Sequence, residues 1–108
     1  MREPSVACTL SERDLAARRA SLFAELRQQR LEIRWLPDGA AFRYRPGPAV
    51  LASLAEFVQL ESKCCPFLRF RLTVEPASGP LWLELTGPSG TRELLATEVG
   101  DTADDTAI

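Results

Sequence analysis

The sequence predicts an α+β domain of order α-β-β-α-β-β-α, with a four-stranded antiparallel sheet and helices packed on one face. Three observations carry this. Two stretches, "LEIRWLPDGAAFRYR" and "FLRFRLTVEPASGPLWLELT", alternate apolar and polar residues on either side of a turn signal, the period of strands with one buried face. Each is preceded by apolar residues at helical spacing. Each ends in a Gly-Pro break, "PGP" and then "GP", so helix, hairpin and break occur twice and the chain reads as a pseudo-repeat. Laying the helix stripes on one face of a single sheet is the simplest way to bury both.

The elements follow in order. "CTLSERDLAARRASLFAELRQQR" is a helix, with Thr9 and Glu12 spaced as a capping box and Leu15, Leu22, Phe23 and Leu26 on one stripe. In the first hairpin Leu31, Ile33 and Trp35 face inward against Glu32 and Arg34. After the "PDG" turn, Phe42 and Tyr44 face inward against Arg43 and Arg45. Pro48 suits the first turn of a second helix, "AVLASLAEFVQLESKCC", with Leu51, Leu54, Ala55 and Val58 on one face. Pro66 disfavours helical conformation at Cys65, so that helix should end at the cysteine pair. Leu68, Phe70, Leu72 and Val74, then Leu81, Leu83 and Leu85, are the inward residues of the second hairpin, and "GPSGTRELLATEV" opens a short third helix. Residues 1–7 are expected to form an N-terminal arm, 8–99 the single domain, and the acidic, aperiodic 100–108 a disordered tail.

Composition narrows the function classes. A chain of 108 residues with 45% hydrophobic and 26% charged residues can bury one core without disulfide staples. Its net charge of -2 argues against bulk affinity for nucleic acid or anionic membranes. Three cysteines are an odd count for a secreted disulfide framework. No segment looks like a signal peptide or a membrane span, so a cytoplasmic protein with reduced thiols is the expectation. With no histidine in the chain, Ser-His and Cys-His hydrolysis are excluded, and no phosphate-binding or dinucleotide-binding glycine motif is present.

The chemistry then falls to "SKCCPFLRF", where Cys64 and Cys65 are adjacent. If a pseudo-two-fold axis relates the two halves, the first two helices run antiparallel, and Cys8 before helix 1 converges on Cys64 and Cys65 at the end of helix 2. Three sulfurs without histidine select a soft or borderline ion: Hg(II), Cu(I), As(III), or zinc with a fourth ligand from Glu12, Asp14, Glu61 or water. The same thiols could serve a redox enzyme, with Cys8 or Cys64 attacking and Cys65 resolving, since a disulfide between neighbours is strained and labile. They could also take the metal of an organomercurial or organoarsenical while an acid protonates the carbon, though nothing singles out Glu12, Asp14 or Glu61 as that acid. The plain alternative is packing, because cysteine is among the most buried residue types. Cys8, at a helix N-terminus, is favoured as thiolate, whereas the dipole opposes thiolate at Cys64 and Cys65 and leaves Lys63 and Arg69 to compensate.

The other face of the sheet carries Glu32, Arg34, Arg43, Arg45, Arg69, Arg71, Thr73, Trp82 and Glu84. Five arginines and a tryptophan suit an anionic ligand, an acidic partner or stacked bases. A solvated face or a homodimer formed through it is the more economical reading, because wet strand faces carry alternating charge by default.

With "CTLSERDLAARRASL" upstream, "KCCPFLRFRLTVEP" and "GPLWLELTGPSGTRELL" resemble a group of small bacterial proteins with a Cys-Cys-Pro-Phe-Leu segment and a downstream Leu-Thr-Gly-Pro. The resemblance spans residues 8 to 96, implies a small stand-alone domain with a cysteine near position 8, and carries no catalytic assignment. The sequence therefore points to a soft-metal or metalloid thiolate site for binding, sensing or detoxification, built from Cys64, Cys65 and Cys8. Its ligand would be the ion itself, as cofactor or cargo, or a small thiol-reactive molecule, and whether it catalyses anything is left open. A thiol-disulfide enzyme on the same cysteines is the first alternative, and a non-catalytic dimeric interaction module on the arginine face the second.

Overall fold

Alternation and helical spacing become real elements in the computed structural model, which describes residues 13–98. Their order is α1 (Arg13–Gln29), β1 (Arg30–Leu36), β2 (Gly39–Tyr44), α2 (Pro48–Cys64), β3 (Arg69–Val74), β4 (Leu81–Thr86) and α3 (Thr91–Glu98). The strands form one antiparallel sheet in the order β1-β2-β4-β3. The two hairpins thus meet through β2 and β4, with Phe42 opposite Leu83, as the pseudo-repeat requires. Cys8, Thr9, Glu12 and the acidic tail lie outside the described residues.

Pairing register assigns the two faces. Ile33, Phe42, Leu83 and Leu72 form one cross-sheet row, and Trp35, Ala40, Leu85 and Phe70 the next. Both rows belong to the core, where Leu26 of α1, Leu54 and Phe57 of α2 and Leu95 of α3 cover them. The other face has the rows Glu32, Arg43, Trp82, Thr73 and Arg34, Ala41, Glu84, Arg71. Helices therefore cover one face only, and the apolar area they remove from water is the main stabilising term.

Four residues depart from the expected placement. Leu31 is 42% exposed because the register shifts between Arg30 and Glu32, and this bulge leaves Leu31 without an opposite residue. Val74 shares the inner face with its partner Leu81 but is 58% exposed, since β3 is an edge strand and Val74 is its last residue. Ala55 is exposed; the buried face of α2 is rotated onto Leu54, Phe57, Glu61 and Cys64. Arg45 lies past the end of β2 and outside the sheet's outer rows.

One glycine is fixed by packing. A Cβ on Gly39 would lie 1.9 Å from the backbone oxygen of Leu85, so β2 reaches β4 this closely only because residue 39 has no side chain.

Candidate thiol site

Local sequence explains why two cysteines stand at the end of α2. Pro66 excludes the helical conformation from the residue before it, and Cys65 is accordingly the helix C-cap, at φ -126° and ψ 75°. Its N–H still donates to Glu61 O at 2.6 Å, closing the last turn. The chain then reverses through Pro66 and Phe67, with Leu68 N–H donating to Cys65 O at 3.1 Å. This turn tucks Phe67 inward, where it forms a small cluster with Cys64 and Cys65, flanked by Leu68 and Leu94. Each cysteine is only 1% exposed.

Buried beside them is a charged residue. Glu61 is 3% exposed, and one helical turn places its carboxylate against the next thiol: Cys65 Sγ donates to Glu61 Oε1 at 3.8 Å. Arg19 of α1 grips the same carboxylate as a fork, Nε on Oε2 at 2.5 Å and Nη2 on Oε1 at 3.2 Å. The Arg19 guanidinium lies 4.5 Å over the Phe23 ring, which in turn packs 5.3 Å from Phe57. A buried carboxylate is tolerable because this fork supplies charge and geometry together.

Helix pairing gives these contacts their direction. Arg19 meets Glu61 near the end of α2, while Glu25, further along α1, accepts a hydrogen bond from Ser53 near its start. The two helices are therefore antiparallel, and the beginning of α1 lies beside the cysteine end of α2. That is the arrangement in which Cys8 was expected to converge, but Cys8 itself lies outside the described residues. Among the described residues, no group of three or more His, Cys, Asp or Glu is placed to hold a metal ion. Of the three acids considered as extra ligands, Glu61 stands against a thiol, Glu12 lies outside the described residues, and Asp14 falls in the first turn of α1. Lys63 and Arg69, the cations considered as compensation, are both exposed.

Glu61 and Cys65 also border a cavity of about 40 Å3. Its wall is otherwise mainly apolar, from Phe23, Leu26, Phe42, Phe57, Leu68, Leu85, Leu94 and Leu95, with Arg27, Arg30 and Tyr44 completing it. Burial pushes the Tyr44 hydroxyl up to about 12, with the nearby Arg30 charge opposing the rise.

On the arginine face, two of the five arginines share one carboxylate. Arg34 Nε donates to Glu32 Oε2 at 2.8 Å, and Arg43 Nε lies 3.1 Å from Glu32 Oε1. The hydrogen bond from Arg34 holds the Glu32 carboxyl below its usual range, and the Arg34 guanidinium lies 4.7 Å over the Trp82 ring. Arg69 and Arg71 are exposed on the edge strand, with Arg71 opposite Glu84. No helix among the described residues is long and apolar enough to cross a membrane.

Glu61 is what residue typing alone did not single out. The available signal was its position on the apolar stripe of α2, one turn after Phe57 and one before Cys65, where a charge is out of place. Compared with known proteins, the chain matches no family profile, no curated protein and no solved structure.

Proposed function

We propose that this chain takes a soft metal or metalloid ion onto the thiolates of Cys64 and Cys65, for binding, sensing or detoxification in a reducing compartment such as the cytoplasm. Hg(II), Cu(I), As(III) and Zn(II) are the ions this donor set selects. The observation that carries the reading is the buried pair of adjacent cysteines with the Glu61 carboxylate 3.8 Å from one sulfur. Thiolate binding releases protons, and Glu61 is the acceptor in hydrogen-bond contact with Cys65. The ion supplies the positive charge that the helix C-terminus lacks. Cys8 is proposed as a third sulfur, on the strength of the antiparallel helices alone.

The Cys65–Glu61 contact also favours a second reading, thiol-disulfide exchange, because the carboxylate is placed as a base to take the thiol proton as the sulfur attacks. Native mass spectrometry of the fully reduced protein separates the two. The metal reading expects one-to-one uptake of Hg(II), Cu(I), As(III) or Zn(II), lost in the Cys64→Ser, Cys65→Ser double variant and weakened in Cys8→Ser. A protein that takes up none of these ions and instead cycles readily to a disulfide contradicts the metal reading and supports the redox one.

A further inference from the structure

We propose, resting on the metal reading above, that the soft centre enters bonded to one small apolar organic group, and that the cavity beside Cys65 receives that group. A bare ion needs donor atoms and has no use for an apolar chamber. Here the chamber and the thiol are contiguous: Cys65 and Glu61 are on its lining, with Arg27, Arg30 and Tyr44 as the other polar members, while Phe23, Phe57, Leu85 and Leu94 supply apolar wall. The recess is partly open to solvent beside exposed Arg27, so a group carried in on the soft centre has a way to reach it. The volume of about 40 Å3 equals only about three spheres of the 10–15 Å3 that one water requires. It suits a methyl or other very small alkyl group; a benzene ring occupies a cavity of about 150 Å3 and does not fit.

The chemistry balances without any oxidant. With an organomercury cation, the Cys65 proton passes to the Glu61 carboxylate, the sulfur bonds to mercury, and the water mercury carried departs. The carbon–mercury bond stays intact. With a trivalent organoarsenical oxide, Cys64 and Cys65 form two sulfur–arsenic bonds and their two protons leave with the oxide oxygen as water. Arsenic remains trivalent.

The test measures binding of methylarsine oxide against arsenite, and of methylmercury against Hg(II), in the wild-type chain and in Leu26→Phe, which fills the cavity from a wall residue outside the thiol cluster. The expected result is a loss of about tenfold or more for the methyl probes on overpacking, with inorganic binding unchanged. Retained inorganic binding shows that the variant is folded, and Leu95→Phe, at another wall residue outside that cluster, replaces Leu26→Phe if it is not. Equal effects on both probe types, or none, overturn the proposal while leaving the metal reading standing. Failure of every probe to bind the wild type overturns both. A methyl-selective loss for one element alone supports the proposal for that element and overturns it for the other.

Discussion

Glu61 is held in a demanding position, 3% exposed between the Arg19 guanidinium and the Cys65 thiol. Removing Arg19 strands a buried carboxylate, so Arg19→Met should cost about 3 kcal/mol or more. Glu61→Gln should cost less, because Arg19, whose side chain is 17% exposed, can turn to water. Urea unfolding of both variants checks the order, and a Glu61→Gln loss equal to that of Arg19→Met would contradict it. Tyr44 adds a pH signature. Its hydroxyl titrates at about 12 in the folded chain against about 10 unfolded. A pKa raised by folding contributes stability that is intact below about pH 10 and lost as pH climbs toward about 12. Unfolding free energy should therefore fall by on the order of 2 kcal/mol across that window, and Tyr44→Phe should flatten the fall. The end of α2 at the cysteine pair was legible because Pro66 and the adjacency of Cys64 and Cys65 are written in the sequence. The fork on Glu61 was not, since it joins residues on two helices whose pairing is a tertiary fact.

Among the elements, the hairpins read most directly. Leu81, Leu83 and Leu85 alternate without interruption, and all three are buried, because β4 is a central strand covered by helices along its length. Edge strands obey the pattern less well. Leu31 is displaced by a bulge, and Val74 sits where the helical layer no longer covers the sheet. In α2 the expected face of Leu51, Leu54, Ala55 and Val58 held at Leu54 and failed at Ala55, which is exposed, while Phe57 and Glu61 complete the buried stripe, since a helix this apolar offers two adjacent stripes. The junction of β2 with β4 makes a sharper claim. Gly39→Ala would drive a methyl into the Leu85 carbonyl, and two paired backbones cannot both yield. Its cost should reach about 3 kcal/mol, the upper end for overpacking, measured as a lowered urea midpoint. A change below about 1 kcal/mol would mean that the strands separate easily there.

For the whole molecule, the pseudo-two-fold arrangement divides the labour between two faces. Helices cover one, and their antiparallel pairing gathers the start of α1, the end of α2 and the Pro66 turn around the thiols. The other carries more arginines than carboxylates, with Glu32 shared between Arg34 and Arg43. Ion binding and any dimer formed through the arginine face are therefore separable. Arg69→Glu with Arg71→Glu should leave ion uptake unchanged, and a dimer through that face would be lost in analytical ultracentrifugation. Loss of uptake in this variant would show that the faces are coupled. The most direct measurement is X-ray absorption at the mercury edge on the one-to-one Hg(II) complex. A shell of two sulfurs, or three with Cys8, is expected, falling to at most one in the Cys64→Ser, Cys65→Ser double variant. A shell of oxygen or nitrogen alone, or one unchanged in that variant, would contradict the assignment of Cys64 and Cys65 as the site.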